Sequence, residues 1–143
     1  MCEDIFRGAP LLGGYDPARR LVVMNPAVPE AALSQAEWTR TVTHELLHAY
    51  DHCRAELDPL DCRHAACTEV RAANLSGDCD FGPEWARGGL RWTLRGHQPV
   101  CVRRRAEASL MSHVSCADAQ GVRDAVDAVW EPCYKDTAPF ATN

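Results

Sequence analysis

The sequence predicts an α+β chain that is mostly helical, with a short N-terminal sheet or hairpin, one long helix carrying two histidines, and C-terminal helices stapled by disulfides. Three observations lead there. Trp38, Val42, Leu46 and Ala49 recur at helical spacing (i, i+4, i+8, i+11), which predicts a long helix with this stripe facing the core. Residues 20–24, RLVVM, are short, β-branched in the middle and stopped by Asn25 and Pro26, as a strand is. The eight cysteines, at 2, 53, 62, 67, 79, 101, 116 and 133, include no Cys-x-x-Cys pair, so their even count reads as disulfides and not as a zinc ribbon.

Taken in order, residues 1–20 hold Gly8, Pro10, Gly13, Gly14 and Pro17 and read as turns. The strand over 20–24 follows. Ser34 is the cap of the long helix, expected over 34–53. Asp58, Pro59 and Asp61 interrupt before a second helix over 62–75, whose Ala65, Ala66, Ala72 and Ala73 let it approach a neighbour closely and which Gly77 ends. Residues 80–98 are irregular, with a short helix around Trp85. A helix over 101–114 comes next. Ser115 to Asp118 then form a capping box for a last helix through Trp130. With no repeat and no long linker, residues 1–143 are expected to be a single domain.

A hydrophobic content of 46% and a net charge of −5 fit a globular protein and argue against a nucleic-acid partner. Arg103, Arg104 and Arg105 read as a solvated helix face. No apolar run is long enough to span a membrane. Met1, Cys2, Glu3 and Asp4 offer neither a basic n-region nor an apolar core, so no secretory signal is expected here. Disulfides without one point to a missing leader or to the mitochondrial intermembrane space.

The chemistry centres on residues 43–51, THELLHAYD. On a helix, His44 and His48 project from one face and can grip one ion, while Glu45 reaches a water on it. This is the H-E-x-x-H pattern of a zinc hydrolase, with the glutamate as general base. The fold class so read is a small zincin-like metalloprotease domain. The metal-bound water, activated by Glu45, is expected to attack the peptide bond. One Zn²⁺ per chain is expected, although manganese or cobalt also suits such a site. The longer metzincin pattern is excluded, because Asp51 and Arg54 stand where it needs glycine and histidine. The third ligand is open among Glu69, Asp51, His52 and His64. Glu69 leads, twenty residues lying between it and His48 on a small-sided helix. Asp51 is the rival, or else the acceptor that fixes a ligand histidine's tautomer. Tyr50, Arg71 and His97 are candidate oxyanion donors, and the role is left unassigned. The strand over 20–24 is the candidate to run beside the metal helix and take extended substrate by strand addition.

Residues 42–54, VTHELLHAYDHCR, and 63–79, RHAACTEVRAANLSGDC, with weaker similarity from Cys2 to Phe140, resemble the mitochondrial inner-membrane metalloprotease family that matures an ATP synthase subunit and helps assemble its membrane sector. The resemblance implies a zinc metalloendopeptidase, peripheral to the inner membrane on its intermembrane-space side and oxidised by that compartment's disulfide relay. The implied substrate is the precursor of an ATP synthase membrane subunit. His44, Glu45 and His48 carry over as two ligands and the base, and the motif around Glu69 matches. The resemblance equally implies an alternative, a non-proteolytic assembly factor or chaperone that holds a hydrophobic partner in the same cleft. The N-terminal segment is shorter than the family's, and Cys62 and Cys116 depart from its pattern. The sequon at Asn74, Leu75 and Ser76 reads as structural.

Overall fold

The computed structural model describes residues 11–29, 32–88 and 96–140. Strands β1 (Gly13–Asp16) and β2 (Leu21–Met24) form an antiparallel hairpin pairing Gly13 with Met24 and Asp16 with Leu21. Asp16 makes the turn by accepting the N–H groups of Ala18 and Arg19. β1 falls in the stretch read as turns. It is a strand because Gly13 lets the backbone press onto the long helix: a Cβ there would sit 3.1 Å from Thr41 Cγ2 and 3.1 Å from Met24 Sδ. Asn25 N–H donates to the Leu12 carbonyl. That phase puts the hydrogen-bonded pairs at Gly14–Val23 and Asp16–Leu21, and it turns the backbone groups of Gly13 and Tyr15 to the opposite edge, which no strand among the described residues pairs.

Helix α1 (Gln35–Arg54) opens with the capping box expected of Ser34: Ser34 accepts the Glu37 N–H, and the Glu37 carboxylate accepts the Ser34 N–H. Its apolar stripe, however, is not its most buried face. Trp38, Val42 and Ala49 are half-buried and Leu46 is exposed, while the buried positions are Glu45, Leu47 and Asp51. The inner face of α1 carries polar side chains that pair across it, so the stripe is turned partly outward.

Helix α2 (Cys62–Leu75) begins at its Asp61 cap and ends ahead of Gly77, whose φ of +84° suits glycine. A short α3 (Phe81–Ala86) follows. Helix α4 (His97–Leu110) starts and ends four residues earlier than expected. Pro99 sits in its first turn, where the missing N–H costs no intrahelical bond. Helix α5 (Ala119–Lys135) is capped by Asp118, which accepts the Gly121 N–H, and not by a box at Ser115; Ser115 bonds with His113 Nδ1. It runs through Pro132 for a further turn beyond Trp130.

The core lies around α2, which packs against α1, α4 and α5. Ala66, Val70 and Ala73 meet Val102, Ala106 and Leu110 of α4 and Val122, Ala125 and Val126 of α5. The alanines of α2 bring its backbone close to its neighbours, as expected. Burying each valine or leucine contributes about 1.5–3 kcal/mol.

Three disulfides join these layers: Cys62–Cys116, Cys67–Cys133 and Cys79–Cys101. The two cysteines that depart from the family pattern are each other's partner. Closing loops of 54, 66 and 22 residues restricts the unfolded chain by roughly 3–5 kcal/mol each. Cys53 is an exposed thiol; Cys2 lies outside the described residues.

A buried ion pair braces α1 to α2. Arg71, 1% exposed, donates Nε to both Asp51 carboxylate oxygens at 3.0 Å and its other nitrogens to the carbonyls of Asp136 and Ala138. Arg54 adds a 3.0 Å bond to Asp51 and a contact with Asp136. Among the described residues no helix is long and apolar enough to cross a membrane.

Candidate metal centre

His44 and His48 stand one turn apart on α1, their ring centroids 4.9 Å apart, and Glu69 faces both from α2. His44 Nε2 lies 3.7 Å from Glu69 Oε2, and His48 Nε2 lies 3.6 Å from Glu69 Oε1. Ligand bonds of about 2.0–2.2 Å in a tetrahedron set donors roughly 3.3–3.6 Å apart, so the three residues already stand at nearly the right separation. Among the described residues Glu69 Oε2, the oxygen facing His44, is buried with no hydrogen-bond partner. A buried carboxylate oxygen without a donor, on a carboxylate that faces two imidazoles, is an acceptor that a cation would satisfy. The donor set fits a zinc-class ion, with two imidazole nitrogens and one carboxylate oxygen.

The charges follow from this packing. Burial opposes the imidazolium of His44, but Asp78 and Glu69 outweigh it and raise its pKa to about 10. Burial pushes His48 the other way, downward. Burial likewise works against the Glu69 carboxylate, yet the facing histidines, with Ser109 beside it, hold it down at about 2. Glu45 sits next to His44 against the outer edge of β1, where the Tyr15 backbone N–H faces its carboxylate. Burial raises its pKa above the usual carboxylate value.

A cleft of about 520 Å³ opens over His44, Glu45 and Glu69. Leu11, Leu12 and Gly13 form one wall, and Arg105, Ala108 and Ser109 of α4 form the other. The strand at the cleft is therefore β1; no residue of β2 lines it. β1 lies there because only its glycine permits contact with Thr41.

The remaining sequence candidates lie elsewhere. Asp51 is bound to Arg71 and Arg54 and stands outside the His44–His48–Glu69 group. His64 Nδ1 accepts the Asp58 N–H at 2.9 Å, and the His52 ring lies 5.4 Å from that of Tyr15. Arg71 is committed to its brace, Tyr50 lies beneath Arg54, and His97 packs edge-on to Phe81.

Asp78 escaped the sequence reading. It follows the Gly77 helix stop, and its Oδ2 lies 3.7 Å from His44 Nδ1 and accepts a 2.8 Å bond from Arg105. Burial opposes its charge, and His44 and Arg105 overcome this to hold its pKa at about 2. The three arginines of α4 lie at a partly exposed face, and each is paired. Arg105 serves Asp78, Arg104 bonds Glu84 at 2.7 Å, and Arg103 pairs with Asp127 over the Trp130 ring.

A helix that presents His-Glu-x-x-His to a glutamate of the next helix, beneath an open cleft, is the arrangement of the metallopeptidase class. The chain belongs to the peptidase M76 family, whose profile matches residues 1–141. It is similar to the mitochondrial inner membrane protease ATP23 homolog of Danio rerio, 44% identical over 97% of this chain and 52% of that protein. It is similar also to the ATP23 homolog of Homo sapiens, at 42% over 97% and 54%, and to the mitochondrial inner membrane protease atp23 of Emericella nidulans, at 40% over 90% and 52%. The chain thus spans about half the length of the curated relatives it matches. No solved structure matches it.

Proposed function

We propose that residues 1–143 form one zinc-dependent metalloendopeptidase domain, with His44, His48 and Glu69 as ligands and Glu45 as general base. The observation that carries this reading is the buried Glu69 carboxylate, one oxygen partnerless among the described residues, facing two imidazoles beside a second desolvated carboxylate, Glu45. Zinc held there would supply Lewis acidity, lowering the pKa of a water at its open position from 15.7 towards about 7 and polarising the scissile carbonyl.

The chain's own residues do the rest. Glu45, its pKa raised by burial, takes a proton from the attacking water and returns it to the departing amine, worth about 10²–10⁴ in rate. Asp78 faces the second ring nitrogen of His44 and fixes the tautomer that leaves Nε2 free to ligate. Gly13, which lines the cleft, offers its outward backbone groups to an extended substrate strand.

The setting we propose is the intermembrane-space side of the mitochondrial inner membrane, held peripherally, with an ATP synthase membrane-subunit precursor as substrate. The names of the relatives support the membrane, and three disulfides support an oxidising compartment. Helix α3 supports surface attachment. It buries Glu84, 2% exposed, against Arg87 and Arg104 and turns the stacked rings of Phe81 and Trp85 outward, 46% and 66% exposed.

Native mass spectrometry tests the metal assignment. One zinc per chain is expected in the wild type and none in Glu69→Ala. Retention of a full equivalent by that variant would remove Glu69 from the ligand set.

A further inference from the structure

Arg40 lies on α1 one turn before His44 and lines the same cleft. Its stem packs over Gly77, where a Cβ would stand 3.6 Å from Arg40 Cγ and 3.7 Å from Cδ. Among the described residues, no hydrogen bond or ion pair engages its guanidinium. The other two arginines of the cleft are committed, Arg105 to Asp78 and Arg87 to Glu84 and the Asp78 carbonyl. Glu37, three residues before Arg40, turns its Oε2 to the Ser34 N–H and hydroxyl at 2.8 and 2.7 Å. Arg40 is thus a half-buried cation on the cleft wall whose charge feels Glu37 through space but whose guanidinium is held by no acid among the described residues. A guanidinium so placed is a ready fork for a carboxylate, and it gains most from one that arrives already desolvated.

We propose that Arg40 is a specificity determinant that pairs with a carboxylate of the bound polypeptide, an acidic side chain or a C-terminal carboxylate close to the scissile bond. The proposal rests on the peptidase reading. One helical turn is about 5.4 Å and one extended residue about 3.3 Å, so the carboxylate belongs within about two residues of the bond.

The test uses a peptide series with Glu, Gln or Lys at each of the three positions on either side of the cleaved bond, made with free and with amidated C-termini. The expected result is a preference in kcat/KM for Glu over Gln of tenfold or more at one position. That ratio falls to near one in Arg40→Gln, turns towards Lys in Arg40→Glu, and survives in part in the charge-conserving Arg40→Lys. A preference that vanishes on amidation identifies the C-terminal carboxylate as the source; one that persists identifies the side chain. Equal loss for Glu and Gln peptides in Arg40→Gln overturns the proposal. Binding of the same peptides to Glu45→Gln, followed by fluorescence anisotropy, separates the two readings. Selective binding of acidic peptides by a chain whose wild type cleaves none of them would sink the peptidase reading and leave Arg40 standing. Indiscriminate binding would sink Arg40 alone.

Discussion

His44 commits both ring nitrogens, Nε2 towards Glu69 and Nδ1 towards Asp78. In the metal-free chain these carboxylates hold a proton on the ring up to a pKa of about 10, although burial opposes it. An ion takes only the neutral imidazole, so metal uptake must expel that proton. The sign follows: below pH 10 the metal-free form binds one proton more than the loaded form at this residue, and affinity rises with pH. Near neutrality about one proton per ion should leave from His44, and the constant should rise about tenfold per pH unit. Calorimetry in buffers of different ionisation enthalpy measures this; zinc uptake with no proton release would contradict it. In Asp78→Asn the ring loses its charged partner, and zinc affinity in a chelator competition should fall about 10–100-fold with helical content retained. Unchanged affinity would make Asp78 a bystander.

At the scale of elements, the brace between α1 and α2 sets the distance from His48 to Glu69. Asp51 follows His48 by three residues, and Arg71 follows Glu69 by two. Their buried pair therefore ties the two ligand-bearing turns together from behind. Arg71→Met strands Asp51 with Arg54 as its one remaining cation and should cost about 3–5 kcal/mol, seen as a lower urea midpoint. Adding Asp51→Asn should recover part of the loss. A midpoint unmoved by the single change would contradict the brace.

These same elements show what the sequence discloses and what it withholds. α1 and α2 were legible because their caps, breaks and alanines are local signals. The His-Glu-x-x-His turn was legible because its spacing is itself geometry. β1 was hidden, since Gly-Gly-Tyr-Asp reads as a turn until Gly13 is seen against Thr41. The outward face of α1 was hidden too, because periodicity does not say which side a neighbour's arginine will claim. Asp78 reaches His44 across 34 residues of chain, and Arg105 reaches Asp78 across 27. No local pattern carries such pairings.

At the scale of the whole molecule, α2 is the hub. Cys62–Cys116 and Cys67–Cys133 cross-link it to the stretch before α5 and to α5, and its C-terminal continuation is tied to α4 by Cys79–Cys101. The cleft lies between the hairpin and α4 and no disulfide cysteine lines it, so the cross-links stiffen its floor without closing its mouth. The central claim is that this floor carries out peptide hydrolysis with Glu45 as the base. The most direct test compares wild type and Glu45→Gln, both zinc-loaded and disulfide-intact, on one peptide substrate in a single-turnover assay. Cleavage is expected to fall by at least about 10²-fold while zinc content and peptide affinity hold. A Glu45→Gln chain that cleaves at the wild-type rate would contradict it.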